Sequence, residues 1–366
     1  MTAVLPPVDL RRIVKLAEFE GLARAAMEPP AYDYVAGGAW DERSIAEAEA
    51  AWRRRRLRPR VLVDVDRIDP STTMAGSRAS LPIGIAPMAA CGLAHPEAET
   101  AVARAAAVAG IPFALSTMSS HSIEDVAAAA PDGVRWFQLY AQRDPSRSRG
   151  FVERAEAAGC TAILVTVDLP VLGYRERDIR NGFDLSVPLG NFGDIGPDHG
   201  SHRGSADSGY DIVAGEIARG LVWDDVGAIR SWTRLPVFLK GILTAEDARL
   251  AVDHGVQGIV VSNHGARQLD RTVAPADALE EVVGAVAGRL EVWADGGVRR
   301  GLDVLTALAL GARGVLVGRP ILYALATAGE AGVARALDIL HQETITAMAL
   351  LGSPTVADVT RAHVAG

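Results

Sequence analysis

Along the chain, short apolar runs rich in β-branched residues alternate with longer stretches whose apolar positions recur at helical spacing. Eight runs stand out: 82–87 (PIGIAP), 113–117 (FALST), 135–141 (RWFQLYA), 162–168 (AILVTVD), 237–241 (VFLKG), 258–264 (GIVVSNH), 291–297 (EVWADGG) and 314–318 (GVLVG). Their length predicts strands, and unbroken rather than alternating hydrophobicity predicts strands covered on both faces, as in a parallel sheet. Between them, alanine-rich amphipathic stretches at 97–109, 123–130, 149–158, 245–253, 276–287 and 302–310 predict helices. Several end at a glycine suited to a left-handed cap, as at Gly110, Gly159, Gly255 and Gly311.

Eight β-then-α units predict an α/β fold of the (β/α)8 TIM-barrel type. A doubly wound sheet is the alternative, although it would want a dinucleotide-type glycine loop after its first strand, and none is present there. Residues 1–80 precede the first barrel strand and read as an N-terminal helical extension packed on the barrel, with a short β segment near 61–68. Residues 81–366 are expected to form the barrel. The rhythm breaks after the fourth strand, where the connection 168–237 holds one firm helical stretch, 221–232. The Gly-, Asp-, Ser- and His-rich part, taken as 184–220, is expected to be a mobile active-site loop. An inert disordered insertion is the plainer alternative.

Composition narrows this picture only a little. With 49% hydrophobic and 22% charged residues the chain can bury a globular core, which excludes a disordered protein. A net charge of −8 excludes general nucleic-acid binding. The arginine run at 53–56 accordingly reads as a solvated helix end. Cys91 and Cys160 are isolated and read as buried thiols, and no Cys/His spacing suits a metal. With no signal-like start and no long apolar stretch, the expected location is the cytoplasm, away from membranes.

In such a barrel, polar residues at the C-terminal strand ends carry chemistry, because strand interiors must be apolar. Here those ends bring Pro87, Met88 and Ala89 (backbone polarity), Ser116, Gln138 with Tyr140, Thr166 with Asp168, Lys240, Ser262 with His264 and Arg267, Asp295 with Gly297 and Arg299, and Gly318 with Arg319. Glycines that let a backbone approach an anion, joined by Arg299 and Arg319, predict a phosphate site after the last two strands. Ser116, Gln138, Thr166 and Lys240 suit the edge of a flat polar heterocycle. An internal ion pair is the other reading of Lys240. His264 is either structural or a general base; Asp168 to orient it and Arg267 one turn on favour the base. Arg175, Arg267, Tyr34 and Tyr140 are placed to hold a substrate carboxylate. The remaining histidines lack such company.

SNHGARQLD (262–270) resembles the signature of the FMN-dependent α-hydroxy acid oxidases and dehydrogenases, of the glycolate oxidase, lactate oxidase and mandelate dehydrogenase type. The resemblance continues through YDYVAGGAWDE (32–42), IAPMA (85–89), FQLY (137–140), TVDLPVLGYRERDIRNGF (166–183), LKGILTAEDA (239–248), DGGVRRG (295–301) and VGRP (317–320), in order over nearly the whole chain. It implies FMN as cofactor and oxidation of an L-2-hydroxy acid to the 2-oxo acid, with O2 reoxidising the flavin. A quinone or carrier protein as acceptor, or a non-redox FMN barrel such as an isopentenyl diphosphate isomerase, are the alternatives. It makes His264 the base, Asp168 its orienting carboxylate and Tyr140 a contact to the substrate hydroxyl or carboxylate. Tyr34, Arg175 and Arg267 would bind the carboxylate. FMN would be held by Pro87, Met88, Ala89, Ser116, Gln138, Thr166, Lys240, Ser262, Asp295, Gly297, Arg299, Gly318 and Arg319. A homo-oligomer, tetramer or octamer, is also implied.

Two departures bear on the substrate. Met118 stands where several members carry an aromatic residue, which implies room for substrates larger than glycolate. Tyr174 precedes Arg175 where many members have paired arginines.

Overall fold

A computed structural model describes residues 8–193 and 215–365. Helices Glu18–Ala26, Pro29–Ala36 and Arg43–Arg54 lead in, followed by β1 (Arg56–Leu57) and the hairpin β2 (Thr72–Met74) and β3 (Ser77–Ala79). Eight parallel strands then close into a barrel: β4 (Ile83–Ile85), β5 (Phe113–Ser116), β6 (Arg135–Leu139), β7 (Ala162–Thr166), β8 (Val237–Ile242), β9 (Gly258–Val261), β10 (Glu291–Ala294) and β11 (Gly314–Val317). All eight apolar runs become barrel strands. β12 (Val364–Ala365) returns to pair antiparallel with β1.

The expected helices form, with the one read at 149–158 starting earlier, at Pro145, because Asp144 caps the first turn through Ser146 N. A short helix, Glu176–Asn181, adds to the connection after β7, and the stretch read at 221–232 becomes Trp223–Ser231. Helix Arg319–Leu351, broken at Ala328 and Gly329, packs on helices Ala98–Ala109 and Glu18–Ala26. The β segment expected near 61–68 does not form. Asp64 Oδ1 accepts from Asp66 N, a local turn that competes with pairing, and Val61 and Leu62 project into solvent.

Below the strand ends the barrel is filled, not hollow. Trp136, Trp293 and Phe238 stack with ring centroids 4.5 and 4.2 Å apart. Gly258 makes that stack possible, since a Cβ there would lie 2.1 Å from the Phe238 ring and 2.5 Å from Glu291 O. Core material therefore closes the lower barrel and leaves only its upper mouth for a ligand. Of the connection 184–220, residues 194–214 lie outside the described residues, and so do His199 and His202. The described flanks are packed down: Leu185, Leu189, Asn191, Phe192 and Ile217 are buried.

Candidate active site

All eight strand ends contribute to one cleft of about 1060 Å³, open solvent included. Pro87, Met88 and Ala89 after β4, Met118 after β5, Tyr140 after β6, Arg175 after β7 and Lys240 on β8 line it. His264, Gly265 and Arg267 after β9, Asp295, Gly297 and Arg299 after β10, and Gly318 and Arg319 after β11 complete the ring. Tyr34 and Val35 close it from the N-terminal helices. Ser116, Gln138, Thr166 and Ser262 are buried at the same strand ends without lining the cleft. Ser116 Oγ donates to Gln138 Oε1 (3.1 Å), Gln138 Nε2 donates to Thr166 Oγ1 (2.9 Å) and Lys240 Nζ donates to Ser262 Oγ (3.0 Å).

His264 sits in a left-handed turn with Gly265 and Ala266 at φ of 57°, 62° and 61°. Its amide donates to Ser262 Oγ (3.1 Å), and Asn263 Oδ1 accepts from Ala266 N (3.2 Å). Nδ1 lies 2.8 Å from Asp168 Oδ1 and Nε2 lies 3.2 Å from the Tyr140 hydroxyl. An ionised carboxylate only accepts, so Nδ1 carries the proton and Nε2 presents its lone pair. Burial, helped by Lys240 and Arg175, holds the imidazole below its ordinary value against the pull of Asp168. Burial raises Asp168, but His264 and Lys240 outweigh it and keep the carboxyl below the usual range. The pair is thus a neutral imidazole on a carboxylate, which is the state of a base ready to accept a proton.

The internal ion pair read as one alternative for Lys240 is present. Its Nζ lies 3.0 Å from Asp295 Oδ2, an internal ion pair, and it also faces the cleft. Burial pulls the ammonium down, yet Asp295 and Asp168 more than compensate and raise it.

The cationic wall is less simple than its sequence suggested. Arg299 pairs with Glu49 at 3.0 Å. Arg319 donates to Val35 O and Gly37 O, and Arg267 to Tyr34 O and Gly37 O, so both reach the N-terminal extension. Among the described residues neither pairs with a carboxylate. Burial, with Arg267 and Arg299 nearby, pulls Arg319 down to about 9. Such a half-buried cation is stabilised by an anion. A Cβ at Gly318 would meet only Ala86 Cβ at 3.7 Å and Met88 Sδ at 4.0 Å, so the backbone there is open to a ligand. These features fit a phosphorylated cofactor with a flat polar ring.

Tyr34 is buried, stacks on Phe183 at 4.5 Å and lies beneath the Arg267 guanidinium, 4.7 Å from its ring centre. Arg175 Nε donates to Arg267 O at 3.3 Å. The apolar side chains Met118, Leu169, Leu172 and Ile217 also line the cleft.

Sequence reasoning passed over Gln268. Its Nε2 donates to Asp168 O (3.2 Å) and Val171 O (2.8 Å), while Oε1 accepts from Gly173 N (3.3 Å) and Arg175 Nη2 (3.4 Å). One amide thus fixes both Asp168 and Arg175; its place four residues after His264 was the available signal. His121, read as lacking an acidic neighbour, lies 3.4 Å from buried Glu99, outside the cleft.

The family model for FMN-dependent dehydrogenases matches residues 23–366. The chain is 49% identical over 355 residues to "Glycolate oxidase 1" of Zea mays, covering 96% of this chain and 95% of that one. It is 49% identical over 356 residues to "Glycolate oxidase" of Spinacia oleracea, covering 96% of each. A solved structure of "Mandelate oxidase" superposes with a TM-score of 0.88 at 46% identity, over 96% of this chain and 98% of that one.

Proposed function

The chain belongs to the FMN-dependent dehydrogenase family, and on that premise we propose how its residues share the oxidation of an L-2-hydroxy acid to the 2-oxo acid. It is an FMN-dependent 2-hydroxy acid oxidase. The observation that carries our assignment is the His264 imidazole, bonded at Nδ1 to Asp168 with Nε2 aimed into a cleft walled by arginines.

Arg267, Arg175 and Tyr34 hold the substrate carboxylate, the guanidiniums bidentately. Tyr140 hydrogen-bonds the hydroxyl or carboxylate beside His264. Nε2 of His264 accepts the proton that leaves the substrate, and Asp168 stabilises the resulting imidazolium. FMN, when bound, takes up the two electrons. Lys240, its ammonium fixed by Asp295 at 3.0 Å, would sit beside the flavin ring and favour negative charge there. The backbone of Pro87, Met88 and Ala89 would meet the ring from the cleft lining, and Ser116, Gln138, Thr166 and Ser262, buried at the strand ends behind that lining, would bind its edge. Arg299, Arg319, Gly297 and Gly318 would hold its phosphate.

Met118, Leu169, Leu172 and Ile217 provide an apolar surface without an aromatic ring, and we read the substrate as one with a side chain larger than that of glycolate. Residues 1–80 serve as an extension that completes the cleft of the barrel, 81–366, with 184–220 as its active-site loop. We place the enzyme in the cytoplasm as a homotetramer. No described helix is long and apolar enough to cross a membrane, and both cysteines are free and buried. Exposed Trp40, Val171, Tyr174, Leu269 and Val273 offer apolar contact surface.

Anaerobic mixing with a panel of L-2-hydroxy acids tests the reading by bleaching of bound FMN. The larger acids bleach fastest, and His264→Ala keeps its yellow FMN but slows bleaching by roughly 10²–10⁴-fold. A His264→Ala enzyme reduced at the parent rate removes His264 from the role of base.

A further inference from the structure

A second cavity, of about 630 Å³ with open solvent included, lies on the Asp168 side of the His264–Asp168 pair. Exposed Trp40, Val171 and Leu269 stand at its rim, and its wall is otherwise apolar except at Asp168, Ser262, Asn263, Gln268 and Thr272. Ser262 and Gln268 have hydrogen-bond partners in the protein. The other three each carry a buried side-chain atom with no partner among the described residues: Asp168 Oδ2, Asn263 Nδ2 and Thr272 Oγ1.

These atoms are chemically complementary. A carboxylate oxygen only accepts, an amide nitrogen only donates, and a hydroxyl does both. Buried polar atoms in folded proteins are satisfied by protein or by bound water, and a cavity with several polar groups on its wall is where water is held. Asp168 has no freedom to turn Oδ2 elsewhere. Oδ1 is bonded to His264, the backbone carbonyl is held by Gln268, and Gly241 packs so closely that a Cβ there would lie 2.6 Å from Asp168 Cγ.

We propose that this cavity is a water site serving the catalytic pair, in which bound water donates to Asp168 Oδ2 and is held in turn by Asn263 Nδ2 and Thr272 Oγ1. Asn263 and Thr272 are then positioning residues for His264. The inference rests on the assignment of His264 as base. Its consequence is a tuned basicity. The groups facing His264 are Asp168 from the end of β7, Tyr140 from β6, Lys240 from β8 with its partner Asp295 from β10, Arg175 from the connection after β7, and Arg267 on its own turn. Without the water, Asp168 loses a donor and depends more on an imidazolium. Drying the cavity acts in the same direction, because carboxylate plus imidazolium is neutral whereas carboxylate plus imidazole is a buried net charge. Both effects raise the pKa of the base.

Thr272→Val removes the hydroxyl at constant size, and Leu243→Phe fills the cavity without touching a polar group. The rate of FMN reduction in the anaerobic holoenzyme is measured across pH for both, with Thr272→Ser and His264→Ala alongside. The acid limb moves up by about half a pH unit or more in the first two, returns in Thr272→Ser, and FMN content stays at the parent level. A high-resolution crystal structure of the parent holoenzyme shows water within hydrogen-bond distance of Asp168 Oδ2. Superimposable pH profiles overturn the proposal, and so does a dry cavity, which decides the matter even if a variant does not fold. A His264→Ala enzyme that reduces FMN at the parent rate sinks the base assignment instead; one slowed as expected, with unmoved profiles in the other variants, sinks the water site alone.

Discussion

At the scale of single residues, the active site divides into groups whose identity was legible and groups whose partners were not. His264, Lys240 and the arginines could be picked out because each is a polar residue at the end of an apolar run, where packing alone has no use for it. Gln268 and Asn263 were harder. Their work is done on neighbouring backbone and on Asp168, and an amide in a turn carries no charge or spacing that announces such a contact. Burial decides the pH behaviour of His264, the base we propose. Because it holds His264 below the ordinary imidazole value of 6.5, the neutral form persists into mildly acid solution. The acid midpoint of the rate of flavin reduction is therefore expected below 6.5. Stopped-flow reduction across pH checks this, and a midpoint above 6.5 contradicts it.

At the scale of elements, continuous apolar runs reported all eight barrel strands, because a strand covered on both faces leaves a signature in composition alone. The β segment at 61–68 misled for the complementary reason: VLVDVDRI has the composition of an edge strand, but pairing requires a neighbour, and Asp64 bends the chain locally instead. The pairs β1 with β12 and β2 with β3 rest on two or three residues each, too few for any periodicity to register. Gly258 shows how an element depends on what crosses the barrel. In β9 it pairs with Phe238 in β8, and its missing side chain is the space occupied by that ring. Gly258→Ala forces the Phe238–Trp293–Trp136 stack and the Glu291 carbonyl apart, a loss of about 1–3 kcal/mol. A lower urea midpoint with unchanged slope registers it, and a Tm at the parent value would mean that the stack can shift freely.

At the scale of the whole molecule, the cleft is built from two distant stretches of chain. Tyr34 and Val35 come from the extension and the other lining residues from the barrel. Sequence could place both stretches near one ligand through shared motifs, but not the seam between them, since its bonds run to backbone carbonyls that every residue possesses. Adding FMN to apoprotein is expected to raise Tm, because a ligand that binds only the folded chain stabilises it by about 2.7 kcal/mol at a hundred times its Kd. Thermal unfolding with and without FMN measures this, and the rise should shrink in Arg319→Met. The seam also changes what such variants mean. Arg319 and Arg267, which line the cleft, are the same side chains that bond the carbonyls of Tyr34, Val35 and Gly37. Removing either one loosens the join between extension and barrel while it removes a charge from the cleft. Affinity and architecture share these atoms, so a drift toward a different ligand at these two positions would have to rebuild the joint at the same time.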